Sequence, residues 1–154
     1  MMKKLWFVLF LTLQLQASNC DSLNKIRNIF QAGVNEKELT EMIAICKQSD
    51  CEEVIPYLAA ATMKKAEFAW SPFDKLANFN RGKKMLENFI KKNPKNIEAK
   101  YIRWLTQKMA PRFLGYHDNL EQDELFILKN INKSDIDSSY QKIMLAHLKK
   151  IKNE

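Results

Sequence analysis

The fold class is indicated most directly by residues 71–93, which read SPFDKLANFNRGKKMLENFIKKN. Apolar side chains recur there every three or four residues over five turns, which is the spacing of one helix face. Ser71 is a favoured N-terminal cap, and Pro72 suits the first helical position. Gly82 costs a helix about 1 kcal/mol relative to alanine, so we expect another helix to approach closely at this residue. The stretch therefore predicts one long amphipathic helix.

Helical patterns continue on both sides of this stretch. Asn35 and Glu38 have the spacing of a capping box, Gly33 is suited to end the helix before it, and Asn96 to begin a later one. No segment shows the two-residue alternation of a half-buried strand. The expected fold is therefore all-α, with about seven helices in antiparallel hairpins. The other predicted helical segments are Asp21–Ala32, 35–46, 57–70, 96–109, 120–131 and 134–151.

The overall composition is that of one globular domain. The chain has 154 residues, of which 46% are hydrophobic, and this length suffices for a single apolar core. Three glycines and four prolines are too few for a β-sandwich or a low-complexity chain. The apolar content is also too high for a disordered chain.

The N-terminal residues have the layout of a secretory signal peptide. A basic start at Lys3 and Lys4 precedes the apolar run 5–13, and small residues follow at Ala17 and Ser18. The run is too short to cross a membrane. We therefore expect residues 1–19 to be a signal peptide and residues 20–154 to form a single all-helical domain. The alternative is a lipoprotein that is cleaved before Cys20 and anchored by a lipid on it, although Asn19 is larger than the residue usual before such a cysteine.

An exported chain meets an oxidising compartment, where cysteine pairs are stable. A tight turn between Cys46 and Cys51 predicts a disulfide between them. Cys20 would then be free, lipidated or paired with another chain, although a bond from Cys20 to either of the other two cysteines stays open. The C-x4-C spacing differs from the C-x2-C of redox enzymes, and no second cluster completes a zinc site.

The positive charge does not predict nucleic-acid binding. The formal charge is +7, and the removal of Lys3 and Lys4 with a signal peptide would leave +5. Of the 25 basic residues, only four are arginines, which are the residues that best recognise bases and phosphates. The lysines are scattered in pairs along predicted solvent faces. We therefore expect no nucleic-acid partner, and an attraction to anionic envelope surfaces is the weaker alternative.

Few residues have the spacing of a catalytic or metal site. His147 lies on the apolar face of the last predicted helix, where we expect a partly buried, hydrogen-bonded side chain. His117, Asp118 and Glu121 could together hold a metal in a hydrolytic enzyme, but acidic residues are also common at a helix N-terminus. Adjacent carboxylates do not face each other on a helix, and no glycine-rich phosphate loop is present. We therefore expect no enzyme activity, no metal and no cofactor.

The best candidate for ligand binding is the segment from Arg103 to Asn119. Arg103 and Gln107 are four residues apart and so share a helix face, and Arg112 and Tyr116 lie in the following loop. Together these four side chains could bind a carboxylate or another anion. In the alternative interpretation the aromatic residues belong to the core and the arginines cap backbone carbonyls.

Two resemblances bear on the architecture. Phe79-x2-Gly82-x3-Leu86-x2-Phe89, followed by Asn93-Pro94, resembles the second helix and exit turn of a tetratricopeptide repeat, although Ser71-Pro72 would interrupt the first helix of a strict 34-residue unit. The chain is also similar to a family of small exported bacterial all-helical proteins without an assigned activity. That second resemblance rests on Pro72-x2-Lys75-Leu76, Asn93-Pro94-x-Asn96-x-Glu98, Arg103, Gln107 and Pro111-x-Phe113-Leu114-Gly115-Tyr116.

These resemblances imply stacked helical hairpins of the tetratricopeptide type. Such stacks present concave surfaces, and their function resides in the residues on those surfaces. We therefore expect an exported, non-catalytic module that binds a protein or peptide partner. The module itself would be periplasmic or secreted, or anchored to a membrane if Cys20 carries a lipid. The sequence does not indicate an oligomeric state.

Overall fold

The computed structural model describes residues 20–152, with side chains for residues 20–150. The predicted signal peptide lies outside the described residues. Within them the chain forms seven α-helices and no strand, as the sequence predicts. The helices are α1 (Asp21–Ala32), α2 (Glu36–Gln48), α3 (Ile55–Phe68), α4 (Pro72–Lys92), α5 (Ile97–Met109), α6 (Leu120–Asn130) and α7 (Ser138–Lys152).

Local capping signals set the starts of α2, α4 and α5 and the end of α1. Asn35 and Glu38 form the predicted capping box, in which the Asn35 side chain accepts from the Glu38 amide at 3.0 Å and the Glu38 carboxylate accepts from the Asn35 amide at 3.1 Å. Gly33 ends α1 with a φ of 76°, a value that side chains other than glycine rarely adopt. Ser71 caps α4 with Pro72 in its first turn, and Asn96 caps α5. These helix ends are therefore specified within a few residues of each boundary.

The start of the last helix differs from the prediction. The pattern of Ser134 and Asp137 suggested a helix from residue 134, but α7 begins at Ser138. The carboxylate of Asp137 accepts from the amides of Ser139 and Tyr140, at 2.9 and 3.3 Å, and so caps the helix itself. Ser134 instead donates to the carbonyl of Ile131 and closes a short 3-10 turn.

From α1 to α6, helices that follow each other in the chain pack together, and α3 lies at the centre of this arrangement. It contacts α4 along its length and also packs against α1, α2 and α5. Gly82 of α4 confirms the predicted close approach, since a Cβ atom there would lie within 3.0 Å of the Ala59 carbonyl oxygen and the Met63 amide nitrogen. The core around α3 includes fully buried Tyr57, Leu86 and Trp104.

The disulfide corrects the sequence prediction. Cys51 is bonded to Cys20, with 5.4 Å between their Cα atoms, and the predicted Cys46–Cys51 bond is wrong. Cys46 is a free thiol because its side chain belongs to the buried stripe of α2, together with Leu39 and Met42. Burial raises the pKa of this thiol to about 11. The bond that does form ties the start of α1 to the connection between α2 and α3.

Among the described residues, none of the helices combines the length and the hydropathy that a membrane-spanning segment requires.

Candidate functional site

Three of the four predicted ligand residues are buried and use their polar groups within the chain. Arg103 makes a two-pronged contact with Asp123 of α6, at 2.6 and 2.8 Å, and a third contact with Glu87 of α4 at 2.8 Å. Tyr116 donates to the same Glu87 at 2.6 Å. Arg103 and Tyr116 therefore do come together, but through a carboxylate of the chain itself.

Gln107 holds the loop that follows α5. Its side-chain carbonyl accepts from the Asn119 amide at 3.2 Å, and its side-chain nitrogen donates to the Asn119 side chain at 3.3 Å. Arg112, by contrast, is exposed, and its guanidinium makes no hydrogen bond or ion pair with the part of the chain that the structure describes. Of the four predicted ligand residues, Arg112 is thus the one whose charge faces solvent.

The Asp123 cluster, which we define as Glu87, Lys100, Arg103, Tyr116 and Asp123, joins α4, α5 and α6. Asp123 is fully buried and also lies 3.4 Å from the ammonium of Lys100. Burial by itself lowers the pKa of Arg103, but the hydrogen bond and the charge of Asp123 outweigh it, so the net pKa is raised. Burial, and then the neighbouring Glu87, raise the pKa of Tyr116. The Tyr116 hydroxyl is therefore protonated at neutral pH, as its hydrogen bond to Glu87 requires.

A second polar cluster joins α1, α3, α5 and α7. We call it the Glu98 cluster; it consists of Arg27, Gln31, Tyr57, Glu98, Tyr101, Tyr140 and His147. Arg27 contacts the Glu98 carboxylate at 2.7 and 2.6 Å, and the Tyr57 hydroxyl also donates to it.

The Glu98 cluster extends from this ion pair to the last helix. Tyr57 and Tyr140 share a hydrogen bond of 2.7 Å, and Tyr101 is hydrogen-bonded to His147 at 2.6 Å, as expected for a partly buried histidine. Burial, and then Lys150, lower the pKa of His147, so its ring is neutral at neutral pH. In both clusters each charged side chain is paired with an opposite charge of the same chain. The clusters therefore hold the helices in position, and neither presents a free nucleophile to solvent.

The His117 segment does not form a ligand set. His117, Asp118 and Glu121 are all exposed. Within residues 20–150, one group of three metal-ligating side chains has its ligand atoms within 4.8 Å of one another, namely Cys20, Cys51 and Glu53. Two of its three ligand atoms are the sulfurs of the disulfide, which are bonded to each other.

An apolar groove with a volume of about 790 Å³ runs along α3 and α4. We call it the α3–α4 groove. Small side chains of α3 leave the space for it, because alanine stands at positions 60, 61 and 66. The remaining lining comes from α1, α2, α4, the end of α5 and the loop after it, and includes Phe30, Leu39, Met42, Leu76, Phe79, Leu105, Met109 and Phe113.

Large apolar side chains stand exposed along this groove. Of the lining residues, Phe113 is 87% exposed and Met109 is 68% exposed, and Phe73, next to Pro72 of the lining, is 86% exposed. Trp70, in the turn between Glu67 and Pro72 of the lining, is 99% exposed. Soluble proteins rarely leave contiguous apolar surface exposed unless it binds something. The sequence pattern placed Phe73 and Met109 at apolar positions of predicted helices. It placed Phe113 in the loop after α5, where the alternative interpretation assigned this side chain to the core, and its exposure shows that it is not a core residue.

Comparisons with protein-family models, with curated protein sequences and with solved structures gave no match.

Proposed function

We propose that this chain is a non-catalytic binding module that takes an apolar segment of a protein or peptide partner in the α3–α4 groove. The open apolar groove with its exposed aromatic side chains carries this proposal. Aromatic residues and methionine are enriched where proteins bind each other, and they contribute much of the binding energy there. A small ligand in a typical pocket is largely enclosed, whereas Phe113 of the lining is exposed to solvent, as are Trp70 and Phe73 close to Pro72 in the chain.

The proposal includes a tetratricopeptide-like stack and an exported location. In support of the stack, α3 packs not only on its chain neighbours but also on α1 and α5, two helices away on each side. In support of export, the Cys20–Cys51 bond is compatible with an oxidising compartment. Membership of the family of small exported helical proteins is part of the same proposal, and it adds no activity.

A peptide library displayed on phage tests the binding function. Ala66 lines the groove and is half-buried, so Ala66→Trp fills the space without entering the core. Ala44, which is exposed on α2 outside the groove, provides the matched control Ala44→Trp. We expect the unchanged protein to enrich apolar peptides that bind the Ala44→Trp variant equally well and the Ala66→Trp variant at least about tenfold more weakly.

Circular dichroism and thermal unfolding establish that both variants are folded before binding is compared. Enriched peptides that bind Ala66→Trp as tightly as Ala44→Trp would place the binding elsewhere and overturn the proposal. A library that yields no binder at all would also overturn it.

A further inference from the structure

The helix rows that line the groove indicate the shape of its occupant. Four lining residues of α3 (Ala60, Met63, Lys64 and Glu67) are spaced i, i+3, i+4 and i+7. The lining residues of α4 have the same spacing, at Pro72, Lys75, Leu76 and Phe79. Each row therefore covers about two turns, or about 10 Å, of its helix. Two adjacent helices that present such rows form the ridges and grooves into which a third helix packs.

The charges at the groove indicate whether the side chains of its occupant are acidic or basic. Lys64 and Glu67 form an ion pair with each other at 2.7 Å and so cancel. Lys75 belongs to the lining, and its ammonium makes no hydrogen bond or ion pair within residues 20–150. Arg112 stands between Pro111 and Phe113 of the lining and is likewise without a counter-charge there. The groove thus presents two unmatched positive charges beside its apolar surface.

We infer that the occupant is an amphipathic helix of a partner protein, about three turns long, with acidic side chains beside its apolar face. Its leucine-type residues occupy the space above the alanines of α3, between Met63 and Leu76. Its carboxylates meet the ammonium of Lys75 and the guanidinium of Arg112. The inference rests on the proposed binding function and specifies which partner segment that function recognises.

Three synthetic peptides of equal length and hydrophobicity separate shape from charge. The first is a helix of about eleven residues, or three turns, with leucines at i, i+3, i+4 and i+7 and glutamates beside them. The second carries lysines in place of the glutamates. The third has the composition of the first, but its leucines alternate with polar residues, so that no apolar helix face forms. We expect calorimetry to show saturable binding of the first peptide, binding of the second that is about tenfold weaker, and no binding of the third.

Charge reversal at Lys75 and Arg112 tests the same ion pairs by changing the protein instead of the peptide. The variant Lys75→Glu/Arg112→Glu should bind the acidic helix about threefold to tenfold more weakly and the basic helix more tightly. The matched control Arg81→Glu/Lys84→Glu reverses two exposed charges of α4 outside the groove and should leave both affinities unchanged. All four positions are exposed, so every variant is expected to fold.

The outcomes distinguish the inference from the function on which it rests. If the third peptide binds as well as the first, the helical occupant is wrong. If the second binds as well as the first, or if the groove variant and the control variant behave alike, the charge pairing is wrong. In either case peptides from the library that are lost in Ala66→Trp would still support the binding function. If none of the three designed peptides binds while library peptides do, the inference fails and the function stands.

Discussion

Gly82 is the residue at which the packing of α3 on α4 is least able to change. Replacement by alanine usually stabilises a helix by about 1 kcal/mol, but here the added Cβ would overlap the backbone of α3 at Ala59 and Met63. Backbone atoms cannot rotate away as a side-chain end can. The close approach therefore requires glycine at this position.

We expect Gly82→Ala to lower the free energy of unfolding by about 2–3 kcal/mol, since overpacking outweighs the gain in helix propensity. Urea denaturation followed by circular dichroism measures this change. Ala77→Gly, at an exposed position of the same helix, is the control and should cost only about 1 kcal/mol. A Gly82→Ala protein as stable as the unchanged one would show that α3 and α4 can separate at this point.

Single residues differ in how far the sequence alone could predict their environment. The contact at Gly82 was predictable, because a glycine in the middle of a helix has a cost that a close approach explains. The partner of Cys51 was not, because both Cys20 and Cys46 are compatible with the chain geometry and the choice depends on how α1 packs. Arg103 was correctly placed on one helix face with Gln107, but only the position of α6 decides that this face is buried.

The tyrosine hydroxyls of the Glu98 cluster link α3, α5 and α7. Burial, before any other cause, raises the pKa of Tyr57 and Tyr101 above the ordinary value and that of Tyr140 to about 12. The nearby carboxylate of Glu98 acts in the same direction on all three. The folded protein therefore holds these protons at pH values where the unfolded chain releases them.

We expect the contribution of these tyrosines to stability to be constant below about pH 10, the ordinary tyrosine pKa, and to fall as the pH rises above it. In this range the folded state binds more protons than the unfolded state, so alkali favours unfolding. Thermal unfolding at increasing pH, with tyrosinate absorbance recorded in parallel, checks this expectation. Tyr140→Phe removes one of the titrating groups and should give a shallower decline. Tyrosinate that forms at about pH 10 without any loss of stability would contradict it.

The starts of α2, α4 and α5 followed from their capping residues, whereas the groove did not follow from any pattern. Asn35, Ser71 and Asn96 act on amides within three residues, so their effect is visible in the sequence. The rows of lining residues on α3 and α4 have the same spacing whether another helix covers them or solvent does. Which face stays open depends on where α2 and α5 lie, and that is a property of the assembled helices.

At the scale of the whole molecule, the disulfide closes a long segment of chain. Cys20 and Cys51 are 31 residues apart, and the loop between them contains α1 and α2. The chain-entropy description gives a bond of this loop length roughly 3–4 kcal/mol of stabilisation. The bond also occupies the sulfur of Cys20 that a lipid anchor would need.

We expect a thiol reductant to lower the free energy of unfolding by roughly 3–4 kcal/mol, and Cys20→Ser/Cys51→Ser to have the same effect without reductant. Denaturation curves with and without reductant measure both changes. In Cys46→Ala the effect of reductant should persist, since this thiol is unbonded. A Cys46→Ala protein that no longer responds to reductant would instead indicate a bond to Cys46.

The burial of the Cys46 thiol affects how readily the disulfide of the oxidised protein rearranges. A disulfide rearranges only when a thiolate attacks it, and three cysteines permit three different bonds. A pKa of about 11, against an ordinary value of 9.0, leaves roughly a hundredfold less thiolate at neutral pH, and the side chain is withdrawn into the core of α2. In the folded chain, attack of Cys46 on the Cys20–Cys51 bond is therefore slow. Exchange of the disulfide requires the helix packing around Cys46 to open first.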